Sequence, residues 1–261
     1  MLKALNTAAT GMAAQEQNVN TISNNIANIN TVGFKKSRTE FEDLLYETIE
    51  EAGGRSSATT QFSVGTQIGS GAKVSASRKI LSQGDPIVTD NPYDLMLNGD
   101  GFFGIIDSKG QLKFSRDGAF NVDAQGNIVN KNGNKLYPGL TVPPNTAYIN
   151  IAENGVVEAQ FKENNQPQNL GQIPVFTFIN SAGLRSEGKN LYATTTGSGQ
   201  PIENIPGESN AAVIQQGMLE AANVNIMNEM TNLIKAQRAY EMNSKVMSTA
   251  DQMLQVTNNI R

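Results

Sequence analysis

The chain has 261 residues, 38% hydrophobic content and a formal net charge of −4, and it contains neither cysteine nor histidine. Its longest apolar runs fall far short of the roughly 20 residues that a membrane-spanning helix needs, and its few basic clusters are too small for a nucleic-acid binder. The missing residue types exclude disulfides, thiolate nucleophiles, most transition-metal sites and the usual general base near neutral pH.

The first predicted element is a long amphipathic helix at the N-terminus. Its apolar or small positions are Leu2, Leu5, Ala9, Met12, Val19 and Ile26. Glu16 and Ser23 interrupt this row, and Ile22 and Ile29 widen it. Spacing of three and four residues predicts a helix with a coiled-coil-like seam. Because only Lys3 is basic there and polar residues interrupt the first turns, we expect no cleaved secretory signal.

The end of this helix, SNNIANINTVGFKKSR at residues 23–38, is rich in asparagine, which is a poor helix former. We expect specific side-chain hydrogen bonds on the helix surface from the amides of Asn18, Asn20, Asn24, Asn25, Asn28 and Asn30. Asn30 and Gly33 are expected to end the helix. The alternative is that the asparagines are solvated surface or capping residues.

Residues 52–76 are rich in glycine, serine and threonine. Composition alone predicts a flexible linker. The alternative is an extended arm that becomes ordered against a neighbouring molecule through the spaced apolar side chains Phe62, Val64 and Ile68.

The middle of the chain alternates apolar and polar positions and is punctuated by glycine turns. The clearest series runs through Gln111–Ser115, Phe120–Val122, the turn Asp123–Gly126, Ile128–Val129 and the turn Asn132–Gly133. This pattern predicts successive antiparallel β-hairpins. Further strands are expected around Tyr148–Ile151, Val156–Phe161 and Val175–Ile179.

Two motifs in this region imitate ligand-binding loops. GDGFFG at residues 99–104 matches the dinucleotide pattern GxGxxG, but no helix is predicted after it, so its glycines are assigned to tight turns. The stretch from Asn121 imitates a calcium loop, but Asn132 occupies the position that needs a bidentate glutamate. No serine has a histidine to activate it. We therefore expect no enzyme, no cofactor and no metal.

The C-terminal helix is predicted from the same spacing as the first. Its row consists of Ile226, Leu233, Ala236, Tyr240, Met247, Ala250 and Leu254, with Glu229 and Asn243 as polar members. The two helices could pair as an intramolecular hairpin. Because polar and small seam residues make a thin core, we expect packing against further copies of the chain as well. The self-assembly residues are predicted to be Leu2, Leu5, Met12, Val19, Ile22, Asn24, Asn25, Ile26, Asn28, Ile29, Leu233, Gln237, Tyr240, Asn243, Met247 and Leu254.

The predicted fold class is therefore mixed α and β. Long N- and C-terminal coiled-coil-like helices flank a central antiparallel β domain, with an extended β and loop linking region between them. The helical domain is expected at residues 1–30 and 222–261, the linking region at 31–92 and 205–221, and the β domain at 93–204.

Four stretches resemble one protein family. SNNIANINTVGFKKSR resembles the N-terminal signature of the bacterial flagellar axial proteins, the rod and hook subunits, and residues 222–255, from ANVNIM to DQMLQ, resemble their C-terminal signature. LNGDGFFGI and FSRDGAFNVDAQGNIV resemble the β-domain motifs of the same family. The length, the segment FEDLLYETI and the Ser/Thr/Gly-rich extension are most similar to a distal-rod subunit. Ala221 and Ala222 depart from the family, which commonly has serine there.

The resemblance implies a structural subunit of the distal rod, in the periplasmic part of the basal body, exported without a cleaved signal peptide. It implies self-assembly into a rigid helical tube that transmits torque to the hook and lets exported subunits pass. Implied partners are neighbouring rod and hook proteins, the surrounding rings and the export apparatus. The alternatives are another axial subunit, either proximal rod or hook-like, and a secreted β adhesin.

Overall fold

The computed structural model describes residues 2–51, 53, 63–161, 167–208 and 211–259. The described residues form two compact units. We call them the helical unit, taken from residues 1–27, 37–79 and 225–261, and the β unit, taken from residues 28–36 and 80–224. Each unit is therefore discontinuous in sequence.

Two long helices dominate the helical unit, α1 at Leu2–Ala27 and α2 at Ile226–Asn259. The Asn225 side chain caps α2, because its Oδ1 accepts a hydrogen bond from the Asn228 amide at 3.2 Å. Helix α1 ends at Ala27, earlier than the predicted stop at Asn30 and Gly33, and a turn follows in which the Thr31 amide bonds the Asn28 carbonyl. Neither described helix combines the length and apolarity required to cross a membrane.

Four strands complete the helical unit: β1 (Ser37–Asp43), β2 (Tyr46–Glu50), β3 (Thr66–Gly69) and β4 (Ala72–Lys79). Antiparallel pairs form between β1 and β4 and between β2 and β3. The β1–β4 pair packs against α1, where the Thr39 hydroxyl donates to the Thr21 hydroxyl at 3.0 Å. Composition predicted a flexible linker over residues 52–76, and the described strands within that range correct this prediction.

The β unit is built from antiparallel strands with short connections. These are β5 (Pro86–Val88), β6 (Leu95–Asn98), β7 (Phe102–Ile106), β8 (Leu112–Ser115), β9 (Phe120–Val122), β10 (Ile128–Asn130), β11 (Lys135–Leu136), β12 (Thr146–Ile151), β13 (Val156–Phe161), β14 (Gln168–Gln172), β15 (Val175–Thr177), β16 (Arg185–Gly188), β17 (Leu191–Ala193), β18 (Ile202–Asn204), β19 (Val213–Gln216) and β20 (Met218–Glu220). A 3-10 turn at Ser181–Gly183 separates β15 from β16.

The largest sheet follows the strand order β16-β17-β8-β7-β11-β10-β9, and β15 joins it by pairing with β7 and β18. A second sheet has the order β12-β13-β14, while β6 pairs with β19 and β5 with β20. The predicted hairpin from β9 to β10 is confirmed, and β10 continues to β11. A hairpin from β8 to β9 was also predicted and is wrong, because β8 pairs with β7 and β17 instead. GDGFFG leads into β7 rather than a helix, as its assignment to a tight turn requires.

Two apolar clusters hold the β unit together. The larger cluster includes the fully buried Phe103, Phe120 and Ile214. The smaller cluster is aromatic, and its rings pack edge to face, as between Phe114 and Phe178 with centroids 4.9 Å apart. The structure thus confirms two terminal helices around a central antiparallel β domain. A coiled coil, which the sequence also predicted, is not established by the packing of one chain.

Candidate assembly surfaces

One face of α2 packs within the helical unit along a three-four row. Glu229, Ala236 and Ala250 are buried, and Leu233, Asn243, Met247 and Leu254 are half-buried. Across from this face, Gly11 of α1 lies so close that a Cβ there would be 2.9 Å from Nδ2 of Asn243. Small residues therefore permit the close approach of the two helices.

The buried positions of α1 differ from the predicted row. Its buried residues are Ala8, Ala14, Ile22 and Asn25. Leu5, Met12, Val19, Ile26 and Ile29 are half-buried, whereas Leu2 is 72% exposed. The physical reason is that α1 packs on two sides, against α2 and against the β1–β4 pair, so its buried surface is broader than a single seam.

Asn25 joins three segments of the helical unit. Its Nδ2 donates to the Ser37 carbonyl at 2.8 Å and to the Glu229 carboxylate at 3.2 Å. Its Oδ1 accepts from the Ser37 amide at 2.9 Å. The prediction of specific asparagine hydrogen bonds is confirmed for Asn25, and Asn28 adds a bond from the Thr31 hydroxyl at 3.2 Å. Asn24 lies on the exposed side of the helix.

A cleft between α1 and α2 brings together several predicted residues. It has a volume of about 580 Å³ and is lined by Glu16, Val19, Gln237, Tyr240 and Glu241. Tyr240 is 43% exposed although it lies in the packed row of α2. The cleft therefore leaves part of Tyr240 exposed between the two helices.

A second face of α2 carries exposed apolar side chains among exposed charged ones such as Lys235, Arg238 and Lys245, and the sequence analysis missed it. We call its apolar side chains the outer stripe, and they are Met227, Met230, Ile234, Met242, Val246, Met253 and Val256. Met227 and Met242 are 72% and 69% exposed. The signal was available, because these residues follow a second three-four spacing displaced from the packed row. The sequence prediction considered only the packed row and left out the outer stripe.

The ribbon of β2 and β3, together with Val64 just before β3, carries further exposed apolar side chains of the helical unit. Val64 is 76% exposed, and Tyr46, Ile49 and Ile68 are also exposed. Phe62, the remaining predicted arm residue, lies outside the described residues. Lys3 of α1 forms a solvent-exposed ion pair with Glu47 of β2.

The loop that imitates a calcium site satisfies its own carboxylate. Asp123 Oδ1 accepts hydrogen bonds from the amides of Gln125 at 2.9 Å and Asn127 at 2.8 Å. A bond from the Asn127 side chain is the main cause that holds the pKa of Asp123 below its usual value. No three side chains of metal-binding type converge within the described ranges. The carboxylate is thus used to shape the turn between β9 and β10.

Comparison with known proteins finds three family models along the chain. The model described as "Flagella basal body rod protein" matches residues 5–35, which include most of α1. "Flagellar hook protein FlgE/F/G D1 domain" matches residues 96–159, and "Flagellar basal body rod FlgEFG protein C-terminal" matches residues 215–260. The three matches thus fall in both units.

Full-length relatives are also found. The chain is 47% identical over 261 residues to "Flagellar basal-body rod protein FlgG" of Caulobacter vibrioides, with 100% of each chain covered. It is 44% identical over 263 residues to the protein of the same name from Borreliella burgdorferi, covering 100% of this chain and 99% of that one. A third, from Bacillus subtilis, is 35% identical over 269 residues, with 100% of both chains covered.

Proposed function

Because the chain belongs to the flagellar basal-body rod protein FlgG family, we propose that it is a structural subunit of the distal rod. Copies of the chain assemble into a rigid helical tube that transmits motor torque to the hook and lets exported subunits pass through its channel. The single observation that carries this proposal is the similarity to proteins of that name along the whole chain.

In this proposal α1 and α2 form the inner layer of the tube, and the β unit forms its wall. The outer stripe of α2 supports the arrangement, because exposed apolar side chains gain most from burial against another molecule. The cleft lined by Val19 and Tyr240 supplies a second contact. Subunits that meet head to tail through such unlike surfaces generate an open helical filament.

The ribbon of β2 and β3 is proposed as an arm that reaches a neighbouring subunit. Its support is the exposure of Val64, Ile68 and Ile49, which form apolar contacts for another chain to cover. Contacts between neighbours along the tube would resist bending and twisting, as a drive shaft requires.

The remaining partners follow from this position in the basal body. Neighbouring rod and hook proteins would contact the two ends of the assembly, and the surrounding rings would face its wall. The proposed location is the periplasmic rod, reached through the flagellar export apparatus without a cleaved signal peptide. The chain is proposed to act mechanically and not as an enzyme.

Electron microscopy of basal bodies from a strain that lacks this protein tests the proposal. We expect truncated rods without attached hooks, and complementation with the intact gene should restore both. Intact rods without hooks would assign the chain to another axial position. Intact rods and hooks with normal motility would overturn the proposed function.

A further inference from the structure

Three charged side chains are buried together in the β unit. Lys35 Nζ lies 2.6 Å from Glu220 Oε1, and Arg116 Nη1 lies 3.4 Å from Glu220 Oε2. At most 3% of each side chain is exposed. Glu220 is the last residue of β20, and it is far from both cations in sequence. We call these three residues the charge cluster.

Backbone groups complete the charge cluster. Lys35 Nζ donates to the Ser82 carbonyl at 2.8 Å, and the Gly84 amide donates to Glu220 Oε1 at 3.0 Å. Arg116 Nη2 donates to the Gly99 carbonyl at 2.6 Å. The cluster therefore holds the segments 33–36 and 80–84 against β20 by side-chain bonds in place of a β-ladder.

Asn223 connects the same three segments a few residues away. Its Oδ1 accepts from the Lys36 amide at 2.8 Å, and its Nδ2 donates to the Ile80 carbonyl at 2.7 Å. The Gly33 amide also donates to the Glu220 carbonyl at 2.8 Å. Gly33 has a φ of +67°, and a Cβ there would lie 2.6 Å from the backbone of Arg116. Only glycine allows residues 33–36 to lie so close to β8 and its following turn.

One buried carboxylate compensates two buried cations. Desolvation is the main cause that lowers the pKa of both Lys35 and Arg116, and the attraction of Glu220 opposes it. The exposed Asp100 also attracts them. Removing one partner of a buried ion pair is far more costly than removing the whole pair, because an uncompensated charge is left in a low-dielectric site. Burial of Lys35 thus depends on the presence of the Glu220 carboxylate.

We propose that the charge cluster is a completion-dependent clasp: residues 33–36 and 80–84 dock on the rest of the β unit only after β20 has brought Glu220 into place. Lys35 precedes its carboxylate partner Glu220 by 185 residues in the sequence. Until Glu220 arrives, docking of the N-terminal connection would bury an unpaired ammonium group next to Arg116. A chain whose C-terminal strands are not yet in place therefore keeps this connection undocked.

The test uses Glu220→Gln in the full chain, because glutamine keeps the shape of the side chain and removes its charge. Hydrogen exchange is followed at the amides of Gly33 and Lys36, whose acceptors in the docked state are the Glu220 carbonyl and the Asn223 side chain. We expect exchange there to become about 100-fold faster, while exchange of the β7–β8 amides changes by less than about threefold. Glu187→Gln is the matched control, since Glu187 pairs with Lys113 at 2.8 Å but keeps about a third of its side chain exposed, at 31%.

A double-mutant cycle with Lys35→Met distinguishes charge-dependent docking of residues 33–36 from a general loss of stability. We expect Lys35→Met to remove most of the effect of Glu220→Gln, because the net charge of the cluster then returns from +2 to the original +1, carried by Arg116. If Glu220→Gln alone fails to fold, the double variant should still fold and show the docked amides. Equal acceleration at β7–β8, no acceleration at Gly33 and Lys36, or additive effects of the two substitutions would each overturn the proposal.

Discussion

Asn25 lies in a helix, but its side chain bonds the backbone of β1 as a neighbouring strand would. Its amide bonds both backbone groups of Ser37 and also reaches the Glu229 carboxylate. Asparagine is a poor helix former, so this position trades local helix stability for contacts with β1 and α2. The asparagine-rich end of α1 is therefore explained in part by contacts within one chain.

We predict that Asn25→Ala lowers the free energy of unfolding of the helical unit by about 2 kcal/mol, because Glu229 and the Ser37 backbone lose buried hydrogen bonds. Urea unfolding followed by circular dichroism measures the change. Asn20→Ala is the control, because Asn20 is exposed on the same helix. Equal losses in the two variants would contradict a special role for Asn25.

The buried residues show the limit of sequence reasoning at this scale. The asparagine excess was visible and predicted specific hydrogen bonds, which Asn25 makes. Lys35 stands in the same quoted stretch, yet nothing in its neighbourhood indicates burial, because its partner Glu220 is distant in sequence. Only the fold reveals which charge compensates it.

At the scale of elements, the apolar side chains of α2 lie in two sets, the packed row and the outer stripe. The packed row contacts the helical unit, whereas the outer stripe is exposed along the helix. An element that presents apolar side chains on two sides is typical of a helix packed between neighbours. Within a single chain, only the side of α2 with the packed row is covered.

Met242→Glu tests the outer stripe. Because Met242 is exposed in the single chain, we expect its free energy of unfolding to change by no more than about 0.5 kcal/mol. Assembly should fail, because a carboxylate would be buried between subunits. Rod length and motility of the complemented deletion strain measure this. Ser244→Glu, at an exposed polar position of α2, should assemble normally, and normal assembly of both variants would remove the stripe from the interface.

Sequence periodicity predicted the elements that have strong patterns of their own. Both helices, the strand β8 and the β9–β10 hairpin follow from residue spacing, whereas the partners of β8, which are β7 and β17, do not. The strands β1, β2, β3 and β4 were predicted only as parts of an extended β and loop region, because their largely exposed residues show little alternation of burial. These strands are specified by pairing with each other and by packing of β1 and β4 on α1.

At the scale of the whole molecule, the two units differ in what they bury. The helical unit buries mainly small side chains, such as Ala8, Ala236 and Ala250, whereas the β unit buries Phe103 and other large residues. Hydrophobic stabilisation grows with the apolar area removed from water. We therefore expect the β unit of a single chain to be more stable than the helical unit.

We predict that the helical unit of the isolated chain unfolds at a lower urea concentration than the β unit. Hydrogen exchange measured across a urea titration can follow residues 8–22 and 102–115 separately. We expect the helical peptide to lose protection first, since its core is thinner. Simultaneous loss at one urea concentration would show that the two units unfold as one.

The bond between Asn223 and Ile80 has a consequence for how such chains diversify. Asn223 Nδ2 lies 2.7 Å from the Ile80 carbonyl oxygen, so the long segment 80–224 of the β unit begins and ends close together. A segment whose entry and exit points lie close together can change in length without altering the spacing of the chain on either side. Because residues 28–36 also belong to the β unit and bury Lys35 against Glu220, a module of another size would have to keep a carboxylate at that place.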